Sequence, residues 1–431
     1  MLYFQLNPSL EIKREGKDFV LFFTQNSKQF SLKADPWDLL VIKILAEEID
    51  PLELARRENF SLTLILQAFY SGLEKGYLIR EESKIVRREP PFQKAFFPDK
   101  SFRVAEVFTF QWHLTNRCDL HCKHCYDRSR VSELSLEENL KILEELFSFC
   151  SEMKVHGQIS FSGGNPFMYP HFFELYKAAS EMSFSLAILG NPVSESLLER
   201  LCKIETPVYY QVSLEGLEST NDDIRGKGHF QRTLKFLKIL KDFEVPSGVM
   251  MTVHEKNLDE LIPLAKSLEG MVDVFSFNRL SLFGEGKKLS PSEKERFFQV
   301  LEEYLNLSEE LPYLSLKDNF FNYLLFQKEK PLCGGCTGFG CGAAFNFLCL
   351  LPNGEVHACR KFPSPLGSIL EQSLSEIYHS ERAKLYRIGP KSCQGCVLYG
   401  VCRGCLAVIS SFGLDPTKDI DPYCPGKLKA L

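Results

Sequence analysis

Cys118, Cys122 and Cys125 stand close together in the stretch T-N-R-C-D-L-H-C-K-H-C-Y. Three thiolates in one short loop can hold three irons of a cubane [4Fe–4S] cluster. Full ligation takes four cysteines, so the fourth iron is left open to a substrate or cofactor. In metal sites an open position means chemistry, whereas a complete ligand set means structure. The loop also carries His121 and His124, either of which would complete a zinc knuckle. Zinc pairs, however, usually recur with partner pairs at set distances.

The other cysteines are unevenly spread. Residues 1–117 contain none, only Cys150 and Cys202 lie between the loop and residue 333, and ten crowd between Cys333 and Cys424. A disulfide framework of that size needs an oxidising compartment. The first residues alternate polar and apolar and reach Glu11 without a signal-peptide core. Metal or cluster ligation in a cytoplasmic, oxygen-poor setting is the expectation. The net charge of −5, with 44% apolar and 25% charged residues, gives no electrostatic footprint for nucleic acid or an anionic membrane. No apolar span is long enough to cross a bilayer.

The elements that must position these residues fall into three regions, as 431 residues suggest. Residues 1–85 read as strands around Leu10–Ile12, Phe19–Phe23 and Phe30–Leu32, followed by three short helices. Asp35 and Pro36 read as N-cap and first helical position, and Gly76 as a helix stop. Residues 86–104, rich in Arg and Pro, read as a linker. Between 105 and 285, strand candidates at Phe108–Leu114, Gln158–Phe161, Ser185–Leu189, Val208–Leu214, Gly248–Val253 and Val274–Phe277 alternate with amphipathic helices such as Leu136–Phe149 and Phe230–Phe243. Six βα repeats imply an α/β fold with a parallel sheet. They are too few for a full eight-stranded barrel, so a partial (β/α)6 TIM-type barrel is expected, with the cysteine loop at the C-terminal mouth. Residues 286–330 read as a helical connector. Residues 331–431 form a cysteine-rich end with little apolar core of its own, whose folding would draw on bound clusters.

The C-x3-C-x2-C spacing resembles the signature of the radical S-adenosylmethionine (SAM) superfamily, whose open iron binds the amine and carboxylate of SAM. Ser162-Gly163-Gly164-Asn165-Pro166, after the second strand, resembles the family's G-G-E-P motif, which contacts the SAM amino group. Two glycines let a backbone edge approach a ligand closely. Asn165 stands where the family more often has an acidic residue, so one charge-assisted contact becomes neutral. Gln211-Val-Ser213-Leu-Glu215-Gly216, followed by Asp223-Ile-Arg225-Gly226, resembles a further run common in peptide-modifying members. The resemblance implies that Ser213 and Arg225 contact the ribose and carboxylate of SAM, with Glu215 near the ligand. A surface salt bridge is the alternative for Arg225. Asn191, at the end of the third strand, and Tyr126, beside the adenine, complete the implied SAM-binding set.

Cys341 and Cys359 flank a strand-turn-strand phrase with a P-N-G-E turn. With Cys393-x2-Cys396-x5-Cys402-x2-Cys405 and Cys424, this order resembles the SPASM extension, members of which often bind two auxiliary clusters; its third spacing is more often x3. The resemblance implies a first auxiliary cluster on Cys341, Cys359 and Cys405, with Cys336 or Cys333 as fourth ligand. It implies a second on Cys393, Cys396, Cys402 and Cys424. Cys349 lies in an apolar run and reads as a buried core residue; Cys150 and Cys202 read as structural.

Together these resemblances imply a radical SAM, SPASM-type maturase of ribosomally made peptides, with phrases similar to maturases of small cysteine- or selenocysteine-rich (selenobiotic-type) peptides. The implied cofactors are a SAM-binding [4Fe–4S] cluster and two auxiliary [4Fe–4S] clusters. The implied partners are a precursor peptide, held by a winged-helix-like module at residues 1–85, and an electron donor such as flavodoxin or ferredoxin. A thioether or other cysteine-linked crosslink is the expected product. Maturation of a folded enzyme such as an anaerobic sulfatase, or haem or quinone cofactor synthesis, is the alternative within the superfamily. A non-catalytic iron–sulfur electron carrier is the alternative outside it. No residue is assigned as catalytic acid or base.

Overall fold

The structure is a computed structural model that describes residues 4–58, 60–87, 102–129 and 131–428. Arg88, Pro90, Pro91 and Pro98 of the expected linker lie outside the described residues.

Strands β6 (Val107–His113), β7 (His156–Ser162), β8 (Ser185–Leu189), β9 (Tyr209–Ser213), β10 (Ser247–Val253) and β11 (Val274–Arg279) pair in parallel, in sequence order, with helices between them. All six expected strands are therefore present in a mixed α/β fold. Period-2 alternation sorts their side chains. Phe108, Phe110 and Trp112 of β6, and Ile159 and Phe161 of β7, are buried. Thr109, Gln111, Gln158, Ser160 and Ser162 turn instead to a central cavity. A polar inner face cannot close on itself as a dry core, so it leaves room for a hydrogen-bonding ligand.

The cysteine-rich end is built onto the edge of the same sheet. Strand β12 (Phe347–Leu350) pairs in parallel with β6, and β13 (Glu355–His357) and β14 (Pro365–Ser368) extend the sheet to nine strands. The P-N-G-E turn joins β12 to β13 as expected, with the Leu351 N–H donating to Glu355 O at 2.9 Å. Helix Leu374–His379 then packs on helix Leu136–Met153, where Tyr378 meets Phe108 and Phe149 edge-on at 5.7 and 5.4 Å between ring centroids. The apolar core of this region is thus largely borrowed from the sheet beside it.

The N-terminal region has an antiparallel sheet, β2 (Glu11–Glu15), β3 (Asp18–Gln25) and β4 (Lys28–Lys33), and helices α1 (Pro36–Ala46), α2 (Pro51–Glu58) and α3 (Leu62–Lys75). Asp35 caps α1 through the Trp37 and Asp38 N–H groups at 2.8 and 2.9 Å, and Gly76 ends α3 at φ +90°. A short pair absent from the sequence reading, β1 (Phe4–Leu6) with β5 (Leu78–Arg80), closes this region. The start of the expected linker is anchored: buried Arg87 donates to the carbonyls of Phe339, Cys341 and Arg387. Among the described residues, no helix is long and apolar enough to cross a membrane.

Candidate functional site

A cavity of about 1020 Å³ opens at the C-terminal ends of β6 to β11, and the cysteine loop forms part of its wall. The loop is zipped to the second strand's exit: Gly164 N–H donates to Thr115 O at 2.8 Å and Asn165 N–H to Arg117 O at 2.8 Å. A Cβ on Gly163 would stand 2.3 Å from Thr115 O, and one on Gly164 would stand 2.2 Å from Arg117 O. The two glycines line the cavity. Their most stringent task, however, is to admit the incoming cysteine loop. From the far side, Glu285 N–H donates to Cys125 O at 2.8 Å.

The expected SAM-binding residues divide into two groups. Tyr126, Gly163, Gly164, Asn191, Ser213 and Arg225 line the cavity together with Cys118, Cys122 and Cys125. Asn165 and Glu215 do not face it. The Asn165 amide donates to Asp119 Oδ1 at 2.9 Å, and Asn191 donates to the same oxygen at 2.6 Å and to Cys118 Sγ at 3.6 Å. Asp119, which the sequence reading missed, therefore ties the loop to the ends of β7 and β8.

Glu215, 1% exposed, accepts from Arg225 Nε and Nη2 at 2.9 and 2.6 Å and from Thr252 N–H at 2.7 Å. Its Oε1 lies 3.4 Å from His124 Nε2. Burial alone would raise the Glu215 carboxyl pKa, but His124 and the Arg225 guanidinium outweigh it and hold the group below the usual range. The Arg225 salt bridge is therefore buried beneath the cysteine loop, not displayed on the surface. Burial pushes the His124 imidazole down to about 4, against the pull of Glu215.

On the opposite side, Arg360 joins the cysteine loop to the cysteine-rich end. It pairs with Asp127, donates to the His113 ring at 2.9 Å and lies 4.8 Å from the centre of the Tyr126 ring. The sequence placed Arg360 beside Cys359 but gave no signal that it reaches Tyr126.

Cys336, Cys341, Cys359 and Cys405 face the same cavity as the loop cysteines. Cys333 is turned away, its thiol 3.7 Å from Leu316 O. Cys393, Cys396, Cys402 and Cys424 instead surround a separate small pocket of about 30 Å³. The short x2 step is accommodated by two consecutive left-handed residues, Arg403 at φ +65° and Gly404 at φ +64°, which turn Cys402 and Cys405 into different pockets. The buried Arg403 guanidinium bonds the carbonyls of Tyr399, Gly400, Phe339 and Cys341 at 2.7–3.1 Å. Cys349 is fully buried, as expected, and burial pushes its thiol up to about 12.

The donor sets suit the groups the sequence implies. Among the described residues, no three His, Cys, Asp or Glu side chains converge tightly enough for a single metal ion, whose ligands lie about 2.0–2.3 Å from the metal. Buried polar atoms without a partner among the described residues, Asn116 Oδ1, His124 Nδ1, Ser281 Oγ and Asn346 Oδ1, belong to residues that line the cavity. A polar ligand such as SAM would satisfy atoms of this kind.

Comparison with known proteins agrees. Residues 112–268 match the radical SAM superfamily, and residues 341–406 match an iron–sulfur cluster-binding domain, SPASM. The antilisterial bacteriocin subtilosin biosynthesis protein AlbA of Bacillus subtilis is 28% identical over 322 residues, 68% of this chain and 66% of that protein. An AdoMet-dependent heme synthase of Methanosarcina barkeri is 28% identical over 350 residues, 73% of this chain and 96% of that protein. Streptococcus suis SuiB, in a crystal structure bound to precursor peptide SuiA, shares the fold at a TM-score of 0.60 and 15% identity, covering 98% of this chain and all of that one.

Proposed function

We propose, from the premise that the chain carries a radical SAM domain joined to a SPASM iron–sulfur domain, that it modifies a ribosomally made peptide through a cysteine-linked, thioether-type crosslink. The observation that carries this reading is the shared cavity. Three thiols suited to an open-sided cluster and four suited to a complete one face the same space. A pure electron carrier has no need of a large polar cavity at an open iron.

In this reading Cys118, Cys122 and Cys125 hold the SAM-binding cluster. Cys336, Cys341, Cys359 and Cys405 hold the first auxiliary cluster, and Cys393, Cys396, Cys402 and Cys424 the second. Bound SAM and its cluster would supply one-electron carbon–sulfur cleavage and hydrogen-atom abstraction from the substrate. The chain's own residues position and exclude. Gly163 and Gly164 would offer backbone edge to the SAM amino group, Arg225 would meet its carboxylate, and Ser213 and Asn191 would meet its remaining polar atoms. Tyr126, held under Arg360, walls the adenine side. Glu215 and Asp119 act from behind, fixing Arg225 and Asn191.

The antiparallel sheet and three helices of residues 1–85 serve as the peptide-recognition module. Its support is the whole-length likeness to SuiB, whose structure includes a precursor peptide. The heme synthase relative favours cofactor synthesis as a second reading. Anaerobic reconstitution followed by reduction with SAM should give 5′-deoxyadenosine; none would end the radical reading. Mass spectrometry of a candidate precursor peptide co-expressed with the protein should show a loss of two hydrogens per crosslink. An unmodified peptide alongside a modified porphyrin would favour the second reading.

A further inference from the structure

The phrase C-G-G-C offers two thiols, Cys333 and Cys336, and only the second reaches the cavity. A phrase with the same spacing, Asn319-Phe-Phe-Asn322, faces it from the start of helix Phe321–Gln327. Asp318 fixes that start, accepting the Phe320 N–H at 2.9 Å and Arg279 Nε at 2.8 Å. Both amides are buried, Asn319 at 3% and Asn322 at 0% exposure. Asn322 Oδ1 accepts the Cys333 N–H at 2.8 Å, and Asn319 Oδ1 accepts the Cys336 N–H at 3.0 Å. Their Nδ2 groups donate to a third segment. Asn322 bonds Val401 O at 2.9 Å, and Asn319 bonds Cys402 O and Gly404 O at 3.2 and 2.6 Å. The oxygen and nitrogen of each amide are thus paired in one register, and a buried amide left unpaired is costly.

We propose that Asn319 and Asn322 are positioning residues that select Cys336 over Cys333 as the fourth thiolate of the cavity-facing site, by holding C-G-G-C in one register. The proposal rests on the cluster assignment above. For Cys333 to replace Cys336, the loop would have to advance by the spacing between them. Leu332 would then occupy the place of Gly335, whose φ of +59° disfavours a bulky residue. A Cβ at that place would stand 2.3 Å from Asn319 Oδ1. The oxygen that accepts from Cys336 therefore also excludes the alternative. Because the same amide bonds Cys402 O and Gly404 O, it sets Cys336 relative to Cys405 as well.

The test uses the full-length protein, reconstituted anaerobically with iron and sulfide. Cysteines are alkylated with iodoacetamide before and after the iron is chelated, and the labelled peptides are quantified by mass spectrometry. In the wild-type protein, chelation should raise Cys336 labelling about tenfold and leave Cys333 unchanged, because a thiolate bound to iron is not free to react. Cys336→Ala should shift or abolish the electron paramagnetic resonance signal of that cluster, and Cys333→Ala should keep it. Asn319→Ala and Asn322→Ala should each move part of the protection from Cys336 to Cys333, while Cys341 and Cys359 stay protected. Protection of Cys333 in the wild-type protein, or a signal untouched by Cys336→Ala, would overturn the proposal. Asparagine variants that keep wild-type protection would do the same. So would variants that expose Cys336, Cys341 and Cys359 together, since that is loss of the site and not a change of ligand. If chelation alters the labelling of none of these cysteines, the cluster assignment itself fails, and the proposal with it for that separate reason.

Discussion

Position 165 carries an amide where the family resemblance leads one to expect a carboxylate, and in the structure it donates to a carboxylate of the cysteine loop, Asp119. One carboxylate oxygen there takes both the Asn165 and Asn191 amides, at 2.9 and 2.6 Å. Asn165→Glu alone would set a second carboxylate against Asp119 in a site where Asn165 is only 7% exposed. Asp119→Asn combined with Asn165→Glu would restore one acid facing one amide, with the roles exchanged. The single change should lower iron retained by the loop several-fold, and the double change should recover most of it. Iron content and the cluster's visible absorbance, read as a double-mutant cycle, check this. Additive losses would show that the two side chains do not act as a pair. Asp119 is visible in the motif itself, but nothing in the sequence joins it to residues 46 and 72 positions away.

Among the elements, β6 to β11 were legible because each is a short apolar run bounded by turns, with a period-2 pattern inside it. What the pattern concealed is that β12 continues the same sheet, since a hairpin strand looks alike whether it pairs alone or on β6. The last strand also connects to the cysteine-rich end through Arg279. This 3%-exposed side chain donates to Asp318 at 2.8 Å and bidentately to Asp421 at 3.0 and 2.9 Å. Asp421 in turn accepts from Cys405 N–H at 2.8 Å and Tyr423 N–H at 3.0 Å, so it fixes ligand loops of both auxiliary sites. Arg279→Met would leave two buried carboxylates unpaired, at a cost of about 3–5 kcal/mol. The unfolding midpoint in denaturant should drop accordingly, and iron should leave the second auxiliary site before the others.

For the whole molecule, the end of the N-terminal region is tied to the sheet and to the cysteine-rich end by hydrogen bonds. Lys84 N–H donates to Met153 O at 2.9 Å, Ala105 N–H to Ile85 O at 3.0 Å, and Arg87 reaches the Cys341 turn. Removing residues 1–82 should therefore leave the sheet, the cysteine loop and Arg87 in place. SAM cleavage without peptide should persist within a few-fold, while peptide modification should fall at least tenfold. Calorimetric titration of the precursor peptide against the truncated and full chains checks the binding component; equal affinity would make the module a packing cap. The sequence by itself determined which cysteines are candidates for ligation and the order of the βα repeats. Cysteine spacing and strand alternation are local properties, written in neighbouring residues. Only the tertiary structure decided that Cys336 and not Cys333 faces the cavity, that Glu215 and Asn165 stand off its wall, and that Asp119 and Arg360 bond to residues around it. Those facts depend on which loops the sheet brings together, and a local pattern carries no information about a contact made across the fold.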